Sequence, residues 1–270
     1  MENLIKWTGT KRYQAKEIVS CIPNNVTVYH ELFLGSGAVF YHLLESNKRI
    51  KSFVVNDRDT NLINLHRYLL YTDAEEIAFH YDGHRRRIVT EDAEYYYLVR
   101  RRFNELKTPE LFLVLNRNCV NGLVRYNSKG EFNSPFHHNR KGMETTTLKK
   151  IVLRYQELVK GRDITFTNQS YTEFQFPTDD GGFVYLDPPY SNSKNSMYGG
   201  SFDFHEFDAW LATVRARFLL SYNSISENDY ERMFTTAFKT RRLVGNSKSS
   251  FKKLFADKNV PVSEYLYSNY

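Results

Sequence analysis

Two strand-to-helix units follow one another near the start of the chain, and this pattern restricts the fold more than any other feature. The apolar run 26–34 predicts a buried strand that ends at Gly35-Ser36-Gly37, with helical spacing behind it. A second apolar run, 52–56, predicts another strand that ends in Asp57 and leads into a second helical pattern. Because each such unit needs a crossover to the next strand, two in succession predict a parallel sheet.

The alternation of strands and helices stops at about residue 60. From there to residue 159 the chain is charged, aromatic and mostly helical in pattern, with a loop-rich stretch at about 116–140. Strand patterns then resume in five runs: 163–167, 182–186, 218–222, 238–244 and 262–269. The pattern predicts an α/β fold with seven strands and a parallel sheet. Residues 1–59 and 160–270 form this body, and residues 60–159 form a mainly helical insertion.

The insertion also holds the positive charge. Between Arg100 and Lys160, 13 Lys and Arg stand against five Asp and Glu, whereas the formal net charge of all 270 residues is only +6. The rest of the chain is therefore slightly acidic. A basic segment interleaved with aromatics on a near-neutral body is typical of a module that binds a polyanion such as nucleic acid, although basic solvated surfaces are also common.

Composition argues against several other classes of protein. The sequence has no run of about 18 apolar residues that would span a membrane, and its N-terminus lacks the apolar stretch of a signal peptide. We therefore expect a cytoplasmic protein without a membrane partner. The two cysteines, Cys21 and Cys119, are too few for a structural zinc site, and the sequence shows no other ligand cluster, so we expect no metal.

The string Asp187-Pro188-Pro189-Tyr190 directly follows the apolar run 183–186. This order places it in a loop at the carboxyl end of a predicted strand, where open α/β sheets bind ligands. The alternative is an ordinary turn, because Asp-Pro and Pro-Pro are common in loops. On average residue usage, the whole string arises by chance in a chain of this size only about once in a thousand. The pattern therefore favours a chemical role.

These residue types suit the methylation of an exocyclic aromatic amine, which is a weak nucleophile because its lone pair is delocalised into the ring. The carboxylate of Asp187 and the backbone carbonyl of Pro188 can accept the two amine hydrogens and direct the lone pair towards a methyl donor. The two prolines, Pro188 and Pro189, stiffen the loop. Tyr190 can stack on the base, which has to leave the duplex before its amine can be reached.

Other segments fit a cofactor site. After the first strand, the third glycine of a nicotinamide-binding fingerprint would fall at Phe40, so the glycine turn disfavours a dehydrogenase and suits a cofactor without pyrophosphate. The alternative is a simple tight turn. Asp57, some twenty residues on, can accept from a cofactor ribose, with a helix cap as its alternative. The segment Trp7-Thr8-Gly9-Thr10-Lys11 precedes a predicted helix, where a carboxylate can bind.

With these motifs the chain resembles the Dam-type, alpha-group DNA adenine-N6 methyltransferases, a family that includes GATC-specific modification enzymes. The resemblance runs nearly end to end and rests on these residues: Lys6-Trp7-Thr8-Gly9-x-Lys11, Phe33-Leu34-Gly35-Ser36-Gly37-Ala38, Asn56-Asp57, Asn121-Gly122-Leu123-x-Arg125 through Asn133, Asp187-Pro188-Pro189-Tyr190 and Ser268-Asn269-Tyr270. The resemblance implies a Rossmann-like, seven-stranded class I methyltransferase sheet that is mostly parallel, with helices on both faces and an antiparallel last strand. It also implies S-adenosylmethionine as methyl donor and double-stranded DNA as substrate, with an adenine flipped out of the helix. GATC is the first expectation for the target.

The resemblance also implies roles for individual residues. Those expected to line the S-adenosylmethionine pocket of the body are Trp7, Lys11, Phe33, Gly35, Gly37, Asp57 and Asp187. Among them, Phe33 is expected beside the sulfonium, since aromatic faces stabilise a cation, and Lys11 near the cofactor's carboxylate.

The insertion 60–159 is in turn expected to be a target-recognition domain with a DNA-reading hairpin at about 116–140. Its expected DNA contacts are Asn121, Leu123, Arg125, Asn127, Lys129 and Arg140. Arg125 would read a guanine, because its fork matches the two major-groove acceptors of that base; a phosphate contact is the alternative.

Three departures from the family pattern bear on these expectations. Thr10 replaces a usual glycine, Val120 stands where an aromatic often precedes Asn-Gly, and His137 replaces a glycine after Pro-Phe. Val120 cannot stack on an orphaned base as an aromatic would, so the target can differ from GATC. The remaining alternatives are cytosine-N4 methylation and a catalytically inactive DNA-binding protein on the same fold. A bacterial or phage host and a separate cognate restriction endonuclease also fit the resemblance.

Overall fold

The computed structural model describes residues 4–46, 48–139, 142–176, 181–189, 202–224, 238–248 and 261–270. Its strands are β1 (Val28–Glu31), β2 (Ser52–Asn56), β3 (Asp163–Thr167), β4 (Gly182–Leu186), β5 (Arg217–Ser224), β6 (Thr240–Lys248) and β7 (Pro261–Ser268). Its α-helices are α1 (Ala15–Cys21), α2 (Ala38–Glu45), α3 (Thr60–Tyr71), α4 (Ala74–Leu106), α5 (Pro109–Asn118), α6 (Thr145–Val159) and α7 (Phe204–Thr213).

The strands form one sheet in the order β3-β2-β1-β4-β5-β7-β6. The five strands from β3 to β5 in this order pair in parallel, whereas β7 lies antiparallel between β5 and β6. The prediction of a seven-stranded, mostly parallel sheet with an antiparallel last strand is confirmed. The chain proceeds from β1 to β2 and β3 on one side and later places β4 on the other side of β1. This reversal of strand order is where open α/β sheets bind their ligands.

Strand β4 shows why the central strands are apolar along their whole length. All of its residues are buried. Phe183 and Tyr185 pack into an apolar cluster that also contains residues of α1 and α2, while Val184 and Leu186 pack into a second cluster with residues of α7. Helices therefore cover both faces of the sheet, as predicted. Successive side chains of a strand point to opposite faces, so they pack into different clusters.

The insertion between β2 and β3 contains α3, α4, α5, a short 3-10 turn and α6. Helix α4 is interrupted at Asp92, where φ is 54° and ψ is −129°. Tyr155 of α6 stacks on Tyr41 of α2, with 3.8 Å between the ring centroids. The insertion thus shares one apolar cluster with the sheet, and its function as a separate recognition unit stays a prediction.

Among the described residues, no helix is both long and apolar enough to cross a membrane.

The bounds of two predicted strands differ most from the expectation. The run 26–34 forms a strand only over β1, because residues 32–34 bend into the glycine turn, although Leu34 N still donates to Asn56 O at 2.8 Å. The run 238–244 is shifted towards the carboxyl end as β6, since β7 continues to pair with it across an irregularity between Leu243 and Gly245. In both cases hydrogen bonding, rather than apolar pattern, sets the boundary.

Candidate active site

A cavity of about 1010 Å³ lies at the carboxyl ends of β1, β2 and β4, where the strand order reverses. It is lined by the segment before α1, by the turns after these three strands and by part of the insertion. The predicted site residues that line it are Trp7, Lys11, Phe33, Gly35, Asp57, Asn127, Asp187, Pro188 and Pro189. Tyr190 and Arg140, which were predicted for catalysis and for DNA contact, lie outside the described residues.

The turn after β1 shows why two glycines stand there. Gly35 and Gly37 have positive φ angles of 49° and 71°, which residues with a Cβ rarely adopt. A Cβ at Gly35 would lie 3.0 Å from Cδ1 of Trp7, and one at Gly37 would lie 2.7 Å from Cε2 of Tyr41. Trp7 therefore packs directly on the turn, and the bare backbone forms one wall of the cavity. Gly37 does not line the cavity but precedes α2 as its N-cap.

Asp57 follows β2 and faces this turn. Its Oδ2 accepts from Gly35 N at 2.8 Å, and its Oδ1 accepts from Asp59 N at 3.0 Å. Asp59, not Asp57, caps α3 by accepting from Leu62 N, so the alternative role of Asp57 as that helix cap is wrong. Burial of the carboxyl raises the pKa of Asp57 to about 7, although these two backbone hydrogen bonds act to lower it.

Lys11 contacts the loop 187–189, hereafter the Asp187 loop. Its Nζ lies 2.7 Å from Oδ1 of Asp187 and donates to Gly9 O at 3.0 Å. Burial acts to lower the pKa of Lys11, but electrostatic interactions with Asp187, Tyr185 and Glu264 outweigh burial and raise this pKa. A charged lysine therefore stands beside the carboxylate that the chemistry requires. The expected contact of Lys11 with a cofactor carboxylate stays a prediction.

An aromatic wall borders the cavity next to the turn after β1. The ring centroid of Phe33 lies 5.7 Å from that of Tyr171 and 6.1 Å from that of Phe202, and all three residues line the cavity. Sequence reasoning found only Phe33. Tyr171 follows β3 much as Asp57 follows β2, so the same strand-end argument would have found it. Phe202 lies just before α7, and no sequence pattern indicated it.

Glu31 is a further cavity residue that sequence reasoning missed. It is the last residue of β1 and 2% exposed, and its Oε2 accepts from the hydroxyl of Tyr29 at 2.7 Å. The pKa of Glu31 is raised to about 8, mainly by burial and also by the nearby Asp187 and Asp57. The hydrogen bond from Tyr29 acts to lower this pKa. An acid in an otherwise apolar run was the available signal, because an ionisable group is rarely buried without a role.

The loop-rich stretch contains a short hairpin, 125–133, hereafter the hairpin. Tyr126 and Phe132 form an antiparallel bridge, and Asn133 N donates to Arg125 O at 2.9 Å. At the turn, Asn127 N donates to the carbonyl of Glu131 at 2.9 Å, and the side-chain oxygen of Asn127 accepts from the backbone N of Glu131. The side chain of Asn127 therefore shapes the turn.

The predicted DNA-contacting residues differ in exposure. Asn121, Arg125 and Lys129 are exposed, whereas Leu123 and Asn127 are half-buried. Asn121 has a φ of 55° within the 3-10 turn that precedes the hairpin. The structure thus presents two of the three expected basic residues, Arg125 and Lys129, to solvent on one short segment, and their DNA contacts stay predictions.

All three departures from the family pattern have defined contacts, and His137 N donates to Asn118 O at 2.9 Å. The hydroxyl of Thr10 hydrogen bonds to that of Ser36 at 2.8 Å, which ties the segment before α1 to the glycine turn. Val120 N donates to Pro135 O at 3.0 Å, next to the bridge between Cys119 and Phe136. Thr10 therefore adds a contact that a glycine could not make.

Comparison with known proteins identifies the family of the chain. Residues 7–269 match the model of the D12 class N6 adenine-specific DNA methyltransferases. The chain is 32% identical over 269 residues to the DNA adenine methylase of Escherichia coli (strain K12), which covers 93% of this chain and 91% of that protein. It is 29% identical over 225 residues to the Type II methyltransferase M.MjaIII of Methanocaldococcus jannaschii, with 76% and 75% covered. An rRNA methyltransferase structure from Streptomyces viridochromogenes gives a TM-score of 0.39 at 11% identity, with 94% and 83% covered. The chain therefore belongs to the D12 class of N6 adenine-specific DNA methyltransferases.

Proposed function

We propose that the cavity at the strand ends holds S-adenosylmethionine, and that the Asp187 loop presents to it the amine of an adenine rotated out of double-stranded DNA. Adenine-N6 methylation of DNA with S-adenosylmethionine is the activity of the family. The observation that carries the assignment of the site is the meeting, in one cavity, of the Gly35 turn, Asp57 and the Asp187 loop.

The residues present fit this cofactor. The glycine turn forms a cradle that a Cβ would fill at Gly35, against Trp7. Asp57 supplies a carboxylate for ribose hydroxyls, and Glu31 and Phe33 supply a buried acid and an aromatic face that suit a cationic centre. When bound, S-adenosylmethionine supplies a methyl group on a sulfonium, so the protein needs no covalent intermediate and no metal.

The Asp187 loop does the chemical work of the protein. The carboxylate of Asp187 and the carbonyl of Pro188 accept the two hydrogens of the adenine amine and orient its lone pair. Lys11, 2.7 Å from Oδ1 of Asp187, favours the charged carboxylate, which is the form that accepts. Pro188 and Pro189 restrict the loop, and Tyr190 stacks on the flipped base.

Sequence recognition is assigned to the insertion. Arg125 reads a guanine in the major groove, with Asn121 and Leu123 beside it, while Lys129 and Arg140 contact phosphates. GATC is the first target to test. The enzyme acts where the genome is, in the cytoplasm of its host, and a separate restriction endonuclease of the same specificity is a proposed partner.

The test uses Asp187→Ala with Asp163→Ala as a matched control, because Asp163 is exposed on β3 and far along the chain from the Asp187 loop. Asp187→Ala removes an acceptor for the amine, so turnover should fall by at least about 10²–10³-fold, with DNA binding retained. Asp163→Ala should keep full activity. Methylation-sensitive sequencing of plasmid DNA from expressing cells reads the outcome.

We expect N6-methyladenine at one short motif with wild type and with Asp163→Ala, and unmodified DNA with Asp187→Ala. Methylation by Asp187→Ala at the wild-type level would overturn the assigned mechanism. If the product were N4-methylcytosine instead of N6-methyladenine, the assignment of adenine as the substrate base would be wrong. A motif other than GATC would change only the assigned target sequence.

A further inference from the structure

Tyr126 in the hairpin faces the cavity, whereas its neighbour Arg125 is exposed. Side chains alternate along an extended segment, so the direction of Tyr126 fixes that of Arg125. The ring of Tyr126 packs edge-on against Phe132 of the opposite arm, with 6.2 Å between the centroids. Whatever holds Tyr126 therefore also sets the orientation of the residue expected to read a base.

The hydroxyl of Tyr126 is held by the first turn of α3. It accepts a hydrogen bond from Nδ2 of Asn61 at 3.0 Å. Burial raises the pKa of Tyr126, and the negative charge of the nearby Asp59 acts in the same direction, so the phenol keeps its proton. The neutral hydroxyl thus accepts from an amide of α3 beside the carboxyl of Asp59.

Asp59 connects this contact to the cofactor side of the cavity. Its backbone N donates to Oδ1 of Asp57 at 3.0 Å, and Gly35 N donates to Oδ2 of the same carboxylate at 2.8 Å. Asp59 also caps α3 by accepting from Leu62 N, so the helix turn that holds Tyr126 through Asn61 is bonded to Asp57 and, through it, to Gly35. Tyr126, Asn61, Asp59, Asp57 and Gly35 all line the cavity, so a ligand there contacts both ends of this connection.

The other arm of the hairpin is held differently. Nδ2 of Asn104 on α4 donates to Phe132 O at 3.1 Å, and Phe132 N donates to Oδ1 of Asn104 at 2.8 Å. This pair of bonds replaces a neighbouring strand and fixes the arm on α4. The hairpin is thus supported by α4 on one arm and by the cofactor-side loop on the other.

We propose that Tyr126 is a positioning residue that couples occupancy of the cofactor site to DNA recognition by the hairpin. A cofactor that orders residues 57–61 also orders Tyr126, and with it Arg125. Cofactor and DNA therefore strengthen each other's binding by the same factor. The inference rests on the proposed roles of the cavity and of the hairpin. It concerns the interaction between the two sites, which neither role alone requires.

The experiment measures the dissociation constant of a duplex carrying the mapped target, with and without saturating S-adenosylhomocysteine. For wild type we expect duplex binding to tighten about tenfold with S-adenosylhomocysteine, a typical coupling between sites. In Tyr126→Phe, which loses one hydroxyl and keeps the ring, the factor should fall below about twofold. Titration of S-adenosylhomocysteine with and without duplex should give the same factor.

Two controls separate coupling from damage to the fold. Tyr68→Phe on α3 makes the same chemical change at a buried hydroxyl that has no hydrogen-bond partner among the residues the structure describes, and it should keep the wild-type factor. Asn104→Ala loosens the hairpin on α4 and should weaken duplex binding equally with and without S-adenosylhomocysteine. A structural role alone would lower both affinities and leave their ratio unchanged.

The outcomes are distinct. If wild type binds both ligands but without mutual strengthening, or if Tyr126→Phe keeps the wild-type factor, the coupling is overturned and the proposed function stands. If wild type binds no S-adenosylhomocysteine, or does not distinguish the target duplex from a scrambled one, the proposed function fails and the coupling fails with it. Loss of the factor in Tyr126→Phe alone supports the coupling.

Discussion

The two sides of the cavity are built by different means. The cofactor wall, formed by the turns after β1, β2 and β4, is part of the sheet edge and contains the buried ionisable side chains of Glu31 and Lys11. The recognition wall, formed by the hairpin 125–133, has only two bridged residues and is held by side chains such as Asn104 and Tyr126. Backbone geometry within the core fixes the cofactor wall. The recognition wall is a surface segment that side chains attach to the core.

This difference teaches which changes each wall can tolerate. Methyl transfer needs the same atoms in the same places for every target, so a wall fixed by the sheet suits it. Recognition has to differ between targets, and a hairpin fastened by a few side chains can change its exposed residues without disturbing the core. Substitutions that change the backbone should therefore lower stability most in the cofactor wall. Side-chain substitutions in the recognition wall should mainly change which DNA is bound.

The largest expected effect is on the glycine turn. Gly37 and Gly130 have nearly the same φ, 71° and 73°, but a Cβ at Gly37 would lie 2.7 Å from Tyr41 and one at Gly130 would have nothing within 4 Å. Gly37→Ala should lower the free energy of unfolding by about 2–5 kcal/mol, through backbone strain plus overpacking. Gly130→Ala should cost only the strain, about 1–2 kcal/mol.

Chemical denaturation of the two variants measures this contrast, and calorimetry with S-adenosylhomocysteine shows whether Gly37→Ala also loses the cofactor. Gly130→Ala should bind it normally. Equal losses of stability in both variants would show that the neighbours of the cofactor turn do not restrict it, and the proposed difference between the two walls would be wrong.

The next effect tests the recognition wall. Arg125→Ala should weaken binding to the target duplex by about 1–3 kcal/mol and barely affect scrambled DNA, because a two-pronged contact to guanine is lost. Lys129→Ala, at the exposed turn of the same hairpin, should weaken binding to both duplexes alike and reduce the salt dependence by about one counterion. Fluorescence anisotropy at several salt concentrations separates them. Equal losses on both duplexes for Arg125→Ala would make it a phosphate contact.

The cofactor wall was more predictable than the recognition wall for a physical reason. The bounds of β2, β3 and β4 follow from their apolar runs, and the residues that succeed such strands, Asp57 and Asp187, must meet at one sheet edge. The hydrogen bond between Asn61 and Tyr126 depends instead on how the insertion packs on the body, which no local pattern encodes. The ion pair of Lys11 and Asp187 likewise joins distant segments.

The smallest expected effect is a pH dependence confined to the cofactor wall. Because burial raises the pKa of Asp57 to about 7, lowering the pH below 7 protonates the carboxyl before the ligand arrives. Ribose hydroxyls need the carboxylate as acceptor, so binding releases a proton, and affinity for S-adenosylhomocysteine should fall about tenfold per pH unit below 7. Calorimetry between pH 5.5 and 8.5 measures this.

Asp57→Asn should flatten the profile and weaken binding at high pH, since an amide cannot ionise. Asp59 and Glu31, whose pKa values burial also raises, are unchanged in that variant, so a slope that survives Asp57→Asn would move the titration to one of these two groups. Asp163→Asn should keep the wild-type slope, and a flat wild-type profile would remove Asp57 from the ribose site.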